Sequence, residues 1–276
     1  MEKVKLALPN IFGQNAGELA DFARENGFRA IDWSLDLDLP REDFLREMEV
    51  LGDFEVRYHC RFPRVDLAYA DVRAEYAVAI LKRMAEVVSL AGGKHMTIHI
   101  GLGLDDDRDL DWRRGVENLS NLVAFGAKRG VTISLENLTT VWTCDPEKFL
   151  EMIHESGAGV TFDIGHAHVC RENCSADGLY ERYVAPHRER VFNAHIYHTE
   201  TSTHGHIAPS GIGDIAERLD VLKSASSCDW WVIELAEPAE ILKTRDMLEE
   251  YIRKNGTRCQ ELGDGYIEKA LNLFAR

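Results

Sequence analysis

The chain has 276 residues, 45% hydrophobic and 29% charged, a composition that supports a large buried core and excludes a disordered chain. Its 47 Asp and Glu against 32 Lys and Arg leave a formal charge of −15, which argues against a protein that coats nucleic acid. No stretch approaches about 20 uninterrupted apolar residues, and Met1-Glu2-Lys3-Val4-Lys5 lacks a signal-peptide core, so a cytoplasmic protein without a membrane span is expected.

Short apolar runs with β-branched content predict strands at Val4–Leu8, Ala30–Ser34, Glu55–His59, His95–Ile100, Thr132–Glu136, Val160–Asp163, Val191–Ile196 and Trp230–Leu235. Segments of helical period fall at Ala16–Glu25, Glu42–Leu51, Arg73–Ala91, Trp112–Lys128, Pro146–Glu155, Ala176–His187, Asp214–Lys223 and Ala239–Lys254. Asn15 and Asp145-Pro146 are helix starts, and Asn26-Gly27, Arg129-Gly130, Ser156-Gly157 and Asn255-Gly256 are stops. Eight strands alternating with eight helices, unbroken by a linker, predict one domain over residues 1–276. Its fold is a single (β/α)8 TIM barrel with a short helical extension over about 256–276. The alternative, a doubly wound sheet, would carry a Gly-rich phosphate loop after its first strand, which this sequence lacks. The six cysteines are thinly spread and read as free thiols, with metal ligation by Cys170 and Cys174 the competing reading.

A barrel gathers its reactive groups at the C-terminal ends of its strands. Strand three ends in Tyr58-His59, strand four in Ile98-His99-Ile100-Gly101, strand five in Leu135-Glu136-Asn137 and strand six in Phe162-Asp163-Ile164-Gly165-His166. Strand seven ends in Ala194-His195-Ile196-Tyr197-His198 and strand eight in Ile233-Glu234-Leu235. Any one of these is ordinarily a hydrogen-bonded, half-buried side chain. Six consecutive strands delivering an imidazole or a carboxylate to one rim are harder to explain that way. Carboxylates after apolar runs are costly to bury unless they are paired or bind a metal. Glu136, Asp163, His195 and Glu234 come from strands five to eight and can close around one divalent ion; separate ion pairs are the competing reading. His59 and His99 can hold a second ion with Glu136 as a bridge, or bind substrate hydroxyls. His204 and His206 follow strand seven with an H-x-H spacing that can reach one centre. Three carboxylates and one histidine favour Mn2+, Mg2+ or Co2+, while a site completed by more histidines suits Zn2+. Trp33 and Trp142 are placed to stack on a sugar face, or to pack in the core or at a subunit contact, and Phe12 shares that ambiguity.

As an ordered set, Ile98-His99-Ile100-Gly101, Leu135-Glu136-Asn137, Phe162-Asp163-Ile164-Gly165-His166, Ala194-His195-Ile196, His206 with Gly211-Ile212-Gly213-Asp214, and Glu234 resemble the xylose isomerase-like barrel superfamily. The resemblance covers about residues 3–255 and lies with the sugar and sugar-phosphate isomerases and epimerases, a branch related to the apurinic-site endonucleases. It implies a divalent metal on Glu136, Asp163, His195 and Glu234, with the two glutamates also moving the proton, and a contact from His166 to a substrate oxygen. From the endonucleases it implies His59, His99, His166 and His206 as further zinc ligands. The aspartate that completes the third centre there is replaced near His204, and His198 stands where many relatives carry an acid. Such relatives also use long outer helices for dimer or tetramer contacts, so a homo-oligomer is an expectation without an identified patch.

The predicted rim has few cations. Pro9–Asn15, Asn137–Pro146 and Tyr197–Gly213 contain no Lys or Arg, which weighs against DNA and weakens a phosphorylated substrate, although Arg61, Arg64 or Arg171 can serve one phosphate. The expectation is a metal-dependent sugar isomerase or epimerase acting on a carbohydrate-like small molecule, an unphosphorylated polyol, ketose or inositol-like compound rather than a sugar phosphate. Glu136 and Glu234 would remove and return a proton next to the carbonyl. A lyase that expels a β-hydroxyl is the runner-up, a zinc phosphodiesterase is third, and a ligand-binding barrel without activity is the non-enzyme alternative.

Overall fold

The computed structural model describes residues 4–10, 15–174 and 178–255. Phe12, the side chain of Cys174, Cys259 and the extension from residue 256 lie outside the described residues.

Eight parallel strands close into a barrel: β1 (Lys5–Pro9), β2 (Ala30–Ser34), β3 (Glu55–His59), β4 (His95–Ile98), β5 (Thr132–Glu136), β6 (Gly159–Asp163), β7 (Val191–His195) and β10 (Trp230–Val232), with β10 returning to pair with β1. Strands β8 (Thr199–Thr201) and β9 (Gly205–Ile207) form a separate antiparallel hairpin in the loop after β7. The surrounding helices are α1 (Ala16–Glu25), α2 (Arg41–Val50), α3 (Arg73–Leu90), α4 (Trp112–Ala127), α5 (Pro146–Ser156), α6 (Ile164–Cys174), α7 (Leu179–Val184), α8 (Ala216–Leu222) and α9 (Pro238–Asn255). Among the described residues no helix is long and apolar enough to cross a membrane.

Local chemistry explains the boundaries. The Asn15 side chain accepts the Glu18 amide at the start of α1, and Asp145 accepts the Glu147 amide with Pro146 opening α5. Helix α5 ends on Gly157 at φ 73°, a left-handed conformation that costs glycine little. Aliphatic helix faces pack on the outside of the barrel, with Leu19, Leu81, Leu119, Phe149, Leu219 and Leu248 all buried there. The barrel interior is unusually polar for a fold whose inner layers are commonly Val, Ile and Leu. Thr97 and Thr161 share a 2.8 Å hydrogen bond, the Asn193 amide donates to Thr97, and Arg57 donates to Asn193 and Asp229 while stacking on Trp230.

Two expectations are corrected. Cys144 and Cys170 form a disulfide rather than standing as free thiols, and this ties the turn after β5 to α6; Cys60 and Cys228 are free and buried. The sequence places the helix after β6 at Ala176–His187, whose first residues to 177 lie outside the described ones, and it names no helix before that; α6 begins directly on the strand end because Asp163 Oδ1 accepts the His166 amide at 2.7 Å and caps it.

Candidate metal and substrate site

Barrel register sets the site. Asp163 lies opposite His195, and His195 opposite Val232, while Glu136 lies opposite Thr161 and thus one inward position below Asp163. Glu234 follows two residues beyond Val232. Glu136, Asp163, His195 and Glu234 are all buried, and each offers one donor atom within 4.8 Å of the others. His195 Nδ1 lies 3.1 Å from Glu136 Oε1 and 2.9 Å from Glu234 Oε2. Asp163 is held from both sides: Asn137 donates its amide to the Asp163 carbonyl at 2.9 Å and accepts the Asp163 amide at 2.8 Å.

The histidines are aimed by backbone carbonyls. His99 Nδ1 donates to Cys60 O at 3.0 Å, His166 Nδ1 to Asn137 O at 2.8 Å and His206 Nδ1 to Glu234 O at 2.7 Å. A carbonyl only accepts, so each of these Nδ1 atoms carries the proton, and in the neutral ring Nε2 presents a lone pair. Those Nε2 atoms meet acceptors. His99 Nε2 lies 3.1 Å from Glu136 Oε2 and 3.1 Å from His59 Nε2, and His59 Nε2 lies 3.2 Å from the same oxygen. Two imidazole nitrogens and a carboxylate oxygen this close need a proton or a cation among them, and tethering one ring nitrogen, as at His99, is how proteins orient metal-binding imidazoles. A second such group lies toward solvent: His166 Nε2 and His206 Nε2 are each 3.5 Å from Glu200 Oε2. Donor sets among the described residues that can hold a metal are therefore His59/His99/Glu136, Glu136/Asp163/His195/Glu234, His166/Glu200/His206 and Asp32/His59/His195, with Glu136 common to the first two.

Orphaned atoms support the fit. Asp163 Oδ2, His195 Nε2 and Asp32 Oδ1 are buried without a hydrogen-bond partner, a state that costs free energy unless another ligand completes them. Burial pushes the Glu136 and Glu234 carboxyls up, but the imidazoles outweigh it, chiefly His195, and hold both well below the usual carboxylate range. Asp163 is different. Burial raises it to about 6 against the pull of His166, and Glu136 and Glu234 push the same way. His166 rises to about 10, since Asp163, Glu200 and Glu136 overcome the burial that opposes its charge.

A cavity of about 330 Å³ opens above these groups, lined by His59, His99, Glu136, His166, Glu200, His206 and Glu234 together with Arg61, Leu102–Asp105 and Leu138–Thr140. Trp33 and Trp142 do not line it. Both pack in the core, Trp33 5% exposed, and Trp142 donates to Asp107 and meets Trp112 edge-on. His204 is exposed and bonds Thr203, so the H-x-H pair does not converge on one centre. His198 turns to Arg218, a buried arginine that donates to the carbonyls of Ile164, His198 and Asp214 and so fixes the loops after β6 and β7. Glu200, absent from the sequence expectation, reaches the cavity because it pairs with His206 across the hairpin. The alternation Thr199-Glu200-Thr201 and Gly205-His206-Ile207 about a tight turn was the available signal.

Comparison with known proteins agrees with the architecture. An uncharacterized protein of Methanocaldococcus jannaschii, MJ0008, is 28% identical over 187 residues, covering 66% of this chain and 76% of that protein. Among solved structures, a D-tagatose 3-epimerase-like protein superposes with a TM-score of 0.75 at 19% identity over 90% of this chain and 97% of its own. An L-ribulose 3-epimerase gives 0.70 at 17% identity over 94% and 99%. The probable 3-DHS dehydratase AsbF of Bacillus anthracis gives 0.67 at 14% identity over 89% and 98%. Residues 20–251 match the profile of the xylose isomerase-like TIM barrel, and the chain belongs to that family.

Proposed function

We propose that the protein is a divalent-metal-dependent isomerase or epimerase that moves a proton next to the carbonyl of a carbohydrate-like substrate. One observation carries this reading: the buried set Glu136, Asp163, His195 and Glu234, with Asp163 Oδ2 and His195 Nε2 lacking hydrogen-bond partners. These four residues would hold the ion, and their three carboxylates favour Mn2+, Co2+ or Mg2+. When bound, the ion would supply Lewis-acid polarisation of the carbonyl and stabilise the enediolate. Glu136 and Glu234 come from strands three positions apart in the ring of eight, so a substrate held between them has a carboxylate to take the proton from one face and another to return it. His166 offers a hydrogen bond to a substrate oxygen, and the carbonyls that fix the histidine rings keep this geometry rigid. The L-ribulose 3-epimerase among the structural neighbours is consistent with proton transfer, and the probable dehydratase with the lyase alternative in which a β-hydroxyl is expelled.

The test is solvent deuterium entering a candidate sugar at the carbon beside its carbonyl. Glu234→Gln is expected to lower that exchange by at least about 100-fold; full exchange in the variant would overturn the assignment. Elemental mass spectrometry of the purified chain checks the site independently. About one Mn, Co or Mg per chain is expected, and no metal, with none taken up on addition, would remove the basis of the proposal.

A second reading has its own observation. The His59/His99/Glu136 triangle and the His166/Glu200/His206 set are histidine-rich and suit zinc, as in a multinuclear phosphodiesterase. Two or three zinc ions per chain with cleavage of an abasic oligonucleotide would favour it. Arg61 is the one arginine or lysine among the described residues lining the cavity, which weighs against a DNA backbone as ligand.

A further inference from the structure

We infer that Arg61 is the specificity residue of the cavity and that the substrate carries an anionic group, a phosphate or a carboxylate, which Arg61 grips. The inference rests on the carbohydrate reading above and narrows it from neutral polyols to sugar phosphates and sugar acids.

Arg61 lies just beyond β3, two residues after His59, and is the one lining residue with a fixed positive charge. Its side chain is 36% exposed, and its charged partner among the described residues is Glu234 Oε1 at 3.7 Å, beyond hydrogen-bond length. Glu234 is also the partner of His195 and a member of the four-donor set, so it does not satisfy the guanidinium. A guanidinium presents five N–H donors in a planar fork that matches a carboxylate or phosphate edge. The other two arginines considered from sequence are elsewhere. Arg171 is spent on Glu217 at 2.7 Å, and Arg64 does not line the cavity.

The neighbouring wall sharpens the point. The Thr139 hydroxyl donates to Glu200 Oε1 and the Thr140 hydroxyl donates to Leu104 O, so those two protons are already committed. Leu102, Leu104 and Leu138 supply apolar surface. Unspent donors on this wall therefore concentrate at Arg61. A neutral polyol would leave most of that fork unmatched, whereas one anionic group fills it and aligns the rest of the substrate across Glu136 and Glu234.

The experiment is calorimetric titration of inorganic phosphate, and separately of acetate, into the full chain loaded with manganese to its measured stoichiometry. Wild type, Arg61→Gln, Arg61→Lys and Arg171→Gln are compared, with metal content measured for each. Arg61→Gln is expected to weaken binding of the preferred anion about tenfold to a hundredfold, with Arg61→Lys between. Metal content should be unchanged, and Arg171→Gln should match wild type. A loss for phosphate alone assigns a sugar phosphate, and a loss for acetate alone a sugar acid. Equal affinity in wild type and Arg61→Gln, no anion binding by wild type, or loss of metal from Arg61→Gln would each overturn the inference. Failure of the deuterium test with Arg61-dependent anion binding intact would instead strike the proposed reaction and leave the anion site standing.

Discussion

At the scale of single residues, the chain separates histidines that serve the cavity from histidines that serve the fold by what each ring nitrogen meets. His99, His166 and His206 spend Nδ1 on a carbonyl and turn Nε2 to a carboxylate. His187 has no such partner: it is 7% exposed, its Nε2 is buried without a hydrogen bond, and burial, with Arg190 nearby, lowers it to about 4. A histidine depressed from 6.5 to about 4 leaves stability intact above pH 6.5, and stability is lost as pH falls toward 4, because the unfolded chain takes up a proton that the folded chain refuses. The full effect is on the order of 3 kcal/mol. Chemical denaturation of wild type and His187→Gln between pH 7 and 4 is expected to show a shallower decline in the variant, and parallel declines would sink this assignment. The strand-end residues at the site were legible because the period-two alternation of a strand fixes which residues face inward. Glu200 was not, because its placement depends on a hairpin pairing at the mouth that no strand period reports.

At the scale of elements, the three strands β2, β3 and β5 run as the sequence predicts, while β4, β7 and β10 end earlier than their apolar patterns. The physical reason is common to them. The hydrogen-bonded ladder stops at the barrel rim, but burial continues into the loops, where His99, Ile196 and Glu234 remain covered. The helix α6 was missed for a related reason, since its cap is the side chain of the strand-end residue Asp163 and not a separate loop residue. Its entry is also sterically specified. A Cβ at Gly165 would fall 2.0 Å from Cε2 of Tyr197, so the first turn of α6 closes onto the loop after β7 only with glycine there. Gly165→Ala must displace either Tyr197 or the turn that carries His166, at a cost of about 1–3 kcal/mol. Urea unfolding is expected to show that loss together with weaker metal affinity. A variant of wild-type stability and affinity would mean that the turn is free to shift.

At the scale of the whole molecule, the barrel buries three carboxylates at its mouth, and in the absence of a metal the neighbouring imidazoles offset the repulsion around Glu136 and Glu234 more than around Asp163. Glu136, Asp163 and Glu234 are each no more than 2% exposed, and Asp163 is the one whose charge the surroundings oppose. Its carboxyl is raised from 3.8 to about 6, so the folded chain is penalised as pH rises through that interval, and at pH 7.5 the penalty is fully present. Removing the charge should relieve it by on the order of 1–3 kcal/mol. Asp163→Asn keeps an oxygen for the His166 amide while replacing the orphaned Oδ2, so the metal-free variant is expected to melt above metal-free wild type at pH 7.5. Adding manganese reverses the order. At about 100 times the dissociation constant, binding stabilises wild type by about 2.7 kcal/mol, whereas the variant, lacking one of four donors, should gain little. Melting curves of both chains with chelator and with manganese decide the matter. A metal-free Asp163→Asn chain that melts well below wild type would show that the carboxylate is held for the fold, and a crossing of the two pairs of curves would show that stability is given up here to keep a cation site.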